Sequence, residues 1–250
     1  SEDLMRNAAT LARDKGVLSN FDMEQFELKD LTLELFMRCC DQVDFHAGLA
    51  MQAYLKSGVD DAQRIAEWSK RTGRQVTVRL VKGAYWDYET IHAEEMGWPC
   101  PVWNTKPETD ACFERMTEVF LDAMPRTTAE GGVKLALGSH NARSIAKRAA
   151  ADLDSRGREY VPVGEMIPGM AYLVRRLLEN TSNESWLMSA STGAMDTDAL
   201  LASPHGSPTS TPDLYLTAAE RHQLSPAIEG VGDGKPFATE PMRDFADAAV

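Results

Sequence analysis

Gln75-Val-Thr-Val-Arg-Leu-Val-Lys-Gly-Ala-Tyr-Trp86 is the stretch that decides the fold. Its first seven residues are rich in β-branched side chains and alternate, with Val76, Val78 and Leu80 on one face, which is the pattern of a strand. Lys82 and Gly83 then break the pattern, and residues 87–95 read as a helix. The same succession appears on both sides. Upstream, residues 23–40 carry the apolar spacing of a helix and residues 48–54 (GLAMQAY) form a short apolar run of strand length. Asp60 and Asp61 open an amphipathic helix through Ile65, Ala66 and Trp68, which Gly73 stops. Downstream, a loop with Pro99, Pro101 and Pro107 leads to a helix over 109–124, a strand over 133–137 and a helix over 141–153. A last strand over 158–163 and a helix over 170–186 complete the series. Strands alternating with helices of this length predict parallel βα units.

Composition sets the outer limits. The chain has 250 residues, 43% of them hydrophobic, enough for one sizeable core. No stretch reaches the roughly 18 consecutive apolar residues of a membrane span. Residues 1–14 are polar and charged and lack the apolar centre of a secretory signal. A net charge of −12 argues against a nucleic-acid partner, because an acidic surface repels phosphate backbones. An anionic ligand would need cationic groups of its own. Cys39, Cys40, Cys100 and Cys112 show no zinc spacing, so no metal site is expected. Scattered cysteines in a long globular chain fit a reducing, cytoplasmic setting. Residues 203–217 are rich in Ser, Thr and Pro and residues 230–236 in Gly, which reads as linker.

Two constellations carry candidate chemistry. In the first, Arg79 and Lys82 stand near the end of the clearest strand, where a parallel barrel builds its site. They could stabilise negative charge on a cofactor, Gly83 permits close backbone approach, and Tyr85 and Trp86 offer flat surfaces for a ring system. The plainer reading is a basic strand end with two aromatics packed on a neighbouring helix. The second is Tyr172-Leu-Val-Arg-Arg-Leu-Leu-Glu179, with Arg175 and Glu179 one helical turn apart. Paired guanidinium groups beside a tyrosine make a carboxylate clamp, though a solvated helix with an Arg–Glu pair has the same pattern. Ser139, His140 and Asn141 follow the strand over 133–137 directly, where a helix N-cap is the competing explanation. An N-cap is equally open for Asp22.

Taken in order, NFDMEQ (20–25), LAMQAY (49–54), RLVKGAYWD (79–87), SHN (139–141) and REYVPVGEMIPGMAYLVRRLLENTSNESWL (158–187) resemble the proline dehydrogenase family. The resemblance implies an α/β fold, a (βα)8 barrel of the TIM type with FAD at the C-terminal ends of its strands. It implies oxidation of L-proline to Δ1-pyrroline-5-carboxylate, with hydride passing to the flavin and electrons onward to a quinone at a membrane. Arg79 would then lie at flavin N5 and Gln52 at the pyrimidine edge. Val81, Lys82, Gly83, Ala84, Trp86, Ser139, His140 and Asn141 would line the cofactor. Arg175 and Arg176 would hold the proline carboxylate; Tyr85, Tyr160 and Tyr172 would shape the pocket; Asp22 and Glu179 would stand at its rim.

Two departures from the family pattern accompany the match. A first strand bearing a lysine has no counterpart before Asp22, and a strand expected between the SHN motif and residue 158 is absent. Ser139 also stands where the family usually has Thr. About six of the eight strands that closure needs are recognisable, so the barrel reads as incomplete. Residues 1–190 are expected to form the barrel-like unit. Residues 191–250 would be a linker and the entry to an aldehyde dehydrogenase region, which Lys235-Pro-Phe-Ala-Thr-Glu-Pro-Met-Arg-Asp-Phe245 resembles. The enzyme would be cytoplasmic, docking peripherally at a membrane.

Overall fold

The computed structural model describes residues 2–139 and 141–149, with short pieces at 164–167, 169–170, 173–174, 198 and 201–204. The expected strand over 158–163, most of the helix over 170–186 and the tail after residue 204 lie outside the described residues. The order of elements is α1 (Glu2–Lys15), β1 (Leu18–Phe21), a 3-10 turn (Phe26–Leu28), α2 (Lys29–Gln42), β2 (His46–Gln52), α3 (Gly58–Thr72), β3 (Gln75–Val81), α4 (Trp86–Met96), α5 (Lys106–Asp122), β4 (Gly132–Leu137) and α6 (Ala142–Ala149).

Among the described residues, four strands form one sheet in the order β1-β2-β3-β4, every pair of neighbours parallel. Parallel neighbours in sequential order, joined through helices, are the arrangement of a (βα)8 barrel. The described arc is open: β1 and β4 are its two edges. The β1 edge is where the resemblance expects a further strand.

Alternation along the strands creates two unlike faces. Phe21, Leu49, Val78, Leu80, Val133 and Leu135 pack on the helices, against Leu33, Phe36, Ile65, Phe113, Met116 and Phe120. Most of these side chains are fully buried. The opposite, inner face is polar or small. The register runs Asn20–Gly48–Thr77–Lys134 and Ala50–Arg79–Ala136 across it. A filled barrel carries bulky branched residues at such positions.

Several boundaries differ from the sequence reading. Strand β1 was not expected, because Leu-Ser-Asn-Phe lacks β-branched residues; its pairing with β2 makes it a strand. Helix α1 occupies residues read only as polar. The expected helix over 23–40 begins later, after the 3-10 turn, and the expected strand over 48–54 ends at Gln52. Helix α5 starts at Lys106 rather than 109, with Pro107 in its first turn and a capping box from Thr105 and Glu108. That signature, Thr-x-x-Glu with an early proline, was legible in the sequence. Gly73 ends α3 in the left-handed conformation, as expected.

One buried charge network ties the first two βα units together. Lys29, 2% exposed, lies 2.8 Å from Asp61, which is 5% exposed, and 2.8 Å from Asp30. The Ser57 hydroxyl donates to Asp61 at 2.7 Å. Cys39, Cys40 and Cys112 are buried, and burial pushes the Cys40 and Cys112 thiols up to about 12. They stay protonated and unreactive at neutral pH.

Candidate active site at the strand ends

Because all four strands are parallel, their C-terminal ends share one side of the sheet. Asp22 follows β1, Gln52 ends β2, Lys82 and Gly83 follow β3, and Ser139 and Asn141 follow β4. The structure therefore brings these sequence-predicted residues to one rim. His140, Tyr160, Tyr172, Arg175, Arg176 and Glu179 lie outside the described residues.

Arg79 points from β3 onto the inner face and forms an ion pair with Asp22. Asn20 donates to the same Asp22 oxygen at 2.6 Å. Gly48 makes room for this arrangement, since a Cβ there would meet the Asn20 side chain at 2.4 Å. Asp22 is thus no N-cap: the turn that follows it starts after Gln25, and its carboxylate is turned to Arg79. Both partners are about half exposed, so the pair itself contributes little stability. Its value is geometric. Ala50 and Ala136 flank Arg79 in register and leave space beside its guanidinium.

Lys82 has a different neighbour. It pairs with Asp110 of α5, which Lys106 also reaches at 2.9 Å, and its ammonium lies 5.9 Å over the Phe113 ring. Burial pulls Lys82 below the ordinary lysine value, and Asp110 pushes it back. Its charge is therefore balanced by the protein. Gln52, 6% exposed, donates to the Met23 carbonyl at 3.1 Å and so braces the loop that carries Asp22. Ser139 accepts from the Asn141 backbone N–H at 3.1 Å, and the Asn141 side-chain oxygen accepts from Arg143 and Ser144 at 3.0 and 3.4 Å. The capping explanation holds for Asn141, while Ser139 closes a local turn just before the helix; ligand contact from Asn141 would fall to its amide N–H groups.

The loop after β3 rests on an aromatic platform that sequence reasoning missed. Phe26, Tyr54, Leu55 and Val102 form a small core of their own, with Tyr85 packed against it. Backbone bonds stitch it together: Ala53 N–H to Val81 at 2.8 Å, Tyr54 N–H to Lys82 at 2.7 Å and Trp103 N–H to Tyr54 at 2.8 Å. The Trp86 indole donates to the Trp103 carbonyl at 2.7 Å. Burial raises the Tyr54 hydroxyl above the ordinary tyrosine value, and the Glu89 carboxylate adds to this. Only the apolar spread of these residues was visible in sequence, since they come from four separate loops.

Gly83 lies on this platform at φ +131°, where a Cβ would sit 2.5 Å from the Tyr54 ring. Gly83→Ala is therefore expected to cost about 1–3 kcal/mol, from backbone strain and overpacking combined. Urea unfolding measures the loss. A variant within about 0.5 kcal/mol of the original chain would show that Tyr54 yields without cost. A separate groove between α2 and α3, lined by Arg38, Asp41, Arg64 and Glu67, lies on the helix side of the sheet and shares none of these residues.

Comparison with known proteins bears on the family of the chain. A family model described as proline dehydrogenase matches residues 4–158 and 147–189. The bifunctional protein PutA of Rhizobium meliloti is 31% identical over 234 residues, covering 78% of this chain and 18% of that protein. Human mitochondrial proline dehydrogenase 1 is 26% identical over 161 residues, covering 52% of this chain and 26% of its relative. The crystal structure of proline utilization A from Bdellovibrio bacteriovorus, inactivated by N-propargylglycine, superposes with a TM-score of 0.77 at 37% identity. It covers 99% of this chain and 27% of that one. The chain thus spans about a fifth to a quarter of the PutA proteins it matches. The family match comes in two pieces that overlap at residues 147–158. From the first helix to residue 189, this chain is a member of the proline dehydrogenase family.

Proposed function

We propose that this chain is the proline-oxidising, FAD-binding part of a proline dehydrogenase. The observation that carries the reading is Arg79, set on the inner face at the strand ends, oriented by Asp22 and flanked by Ala50 and Ala136. Such a gap beside a fixed cation fits a planar ring with an electron-accepting edge. Gly83, bare at Cα, lets the loop after β3 pack directly on the Tyr54 ring, which fixes the wall beside that gap. When bound, FAD supplies the hydride acceptor, which no amino-acid side chain can be.

The residues of the chain then bind and orient. Arg79 donates hydrogen bonds toward the acceptor edge and stabilises negative charge developing there. Val81, Gly83, Ala84 and Trp86 form the wall after β3, with Gln52 and the Ser139–Asn141 turn to either side. Arg175 and Arg176 clamp the proline carboxylate as bidentate forks, which reconciles an anionic substrate with an acidic chain. Tyr85, Tyr160 and Tyr172 enclose the pyrrolidine ring, and Glu179 and Asp22 close the rim. A quinone at a membrane surface takes the electrons, and an aldehyde dehydrogenase region takes the product in a cytoplasmic, bifunctional protein.

A second reading has an observation of its own. The family match comes in two pieces that overlap at residues 147–158, and a barrel short of strands would favour a non-catalytic remnant acting at most as an interaction module. Open strand edges invite association rather than a closed pocket. One comparison separates the two. This chain, and a version with both missing strands restored, are purified with added FAD and assayed for proline-dependent dye reduction. The restored chain is expected to be yellow and active, and this chain to bind FAD weakly and turn over poorly. If neither holds flavin, the flavin reading fails. If the short chain matches the restored one, its barrel closes through segments read as loop or linker.

A further inference from the structure

Asp22 sits on a short loop, and what holds that loop decides where Arg79 points. Its near end is fixed by β1, with Phe21 paired to Leu49. The Met23 carbonyl is held by Gln52. Its far end is held from a distant helix: the Phe26 backbone N–H donates to Glu89 Oε1 of α4 at 2.8 Å, across 63 residues of chain. Glu89 is 3% exposed and Phe26 7%. A carboxylate is rarely buried so deeply on a helix without a task. One turn along α4, His92 lies 2.8 Å from Glu27 Oε1, so α4 grips the turn after Asp22 at two adjacent residues.

We propose that Glu89 is a positioning residue of the strand-end site: by accepting the Phe26 N–H, it sets the loop that places the Asp22 carboxylate against Arg79. The inference deepens the reading of Arg79 as the working cation, and its test reads geometry alone, so it stands or falls separately from proline oxidation. Without that acceptor, the Phe26 N–H turns toward water and the loop gains freedom at its far end. Asp22 then samples positions away from the guanidinium. Gln at position 89 keeps a carbonyl oxygen for the same bond and should preserve the placement.

The experiment uses the full chain with no ligand added. Arginines are modified with phenylglyoxal under native conditions, and initial rates at Arg79 and at Arg115, on α5, are read by peptide mass spectrometry. An arginine held by a carboxylate reacts more slowly than one released from it. Asp22→Asn should raise the Arg79 rate relative to Arg115 by about two- to five-fold, the range of a half-exposed pair. Glu89→Ala should give most of that rise, and Glu89→Gln should leave the original rate. Glu89→Met, which keeps the buried volume, replaces the alanine variant if that one does not fold. An original rate in Glu89→Ala beside a raised rate in Asp22→Asn overturns the proposal. So does an equal rise at Arg79 and Arg115, which signals general loosening, or a Glu89→Gln rate as high as that of Glu89→Ala. A flat Asp22→Asn result removes the pair itself, and the proposal with it.

Discussion

Asp61→Ala is expected to destabilise the chain by about 3 kcal/mol or more, toward the 3–5 kcal/mol cost of leaving a buried charge without its partner. Lys29 is 2% exposed and would retain only Asp30, whose side chain is 15% exposed. That residual partner keeps the cost near the lower end. The Ser57 hydroxyl would lose its acceptor as well. The double variant Lys29→Met, Asp61→Leu should recover most of the loss, because apolar residues of similar volume need no compensation. Urea midpoints at constant slope measure both. A single variant within 1 kcal/mol of the original chain would mean that water reaches Lys29.

Arg79→Met carries the largest expected effect on function. The side chain keeps roughly its length but loses its charge and its pairing with Asp22. In whichever chain turns over, the original or the strand-restored one, proline-dependent dye reduction should slow by about 10²-fold, the usual cost of removing a donor to developing charge. The reduction potential of the bound flavin should fall, since the reduced, anionic form loses a stabilising cation. The pairing with Asp22 sharpens the contrast: Asp22→Asn frees Arg79 without removing it, and should act mainly through KM. An unchanged potential in Arg79→Met would place the guanidinium away from the ring and return it to an ordinary strand-end charge.

Much of the fold was legible because its signals are local. The alternation of Val76, Val78 and Leu80 marked β3 to the residue, and Gly73 marked the end of α3. The same holds for the rim: Lys82, Gly83, Ser139 and Asn141 stood out because parallel βα order places the residues after each strand together, whereas Gln52 came only with the family resemblance. Strand β1 was missed for the opposite reason. In Leu-Ser-Asn-Phe only Phe21 favours an extended backbone, and the hydrogen bonds to β2 supply the rest of that preference. The capping box of Thr105 and Glu108 was readable and passed over.

By itself, the sequence determined the class of fold, the family, and which cations and aromatics stand near strand ends, since periodicity and motif order are properties of neighbouring residues. Tertiary structure alone decided what each charge faces. Arg79 and Lys82 look equivalent along the chain, three residues apart, yet one lies on the inner face with Asp22 and the other against Asp110 of α5. Glu89 looks like any helix-surface carboxylate, yet it is buried against the Phe26 N–H. A charge costs free energy to bury and little to expose, so its role depends on the partner it meets. That partner comes from another βα unit, brought near only when the sheet assembles.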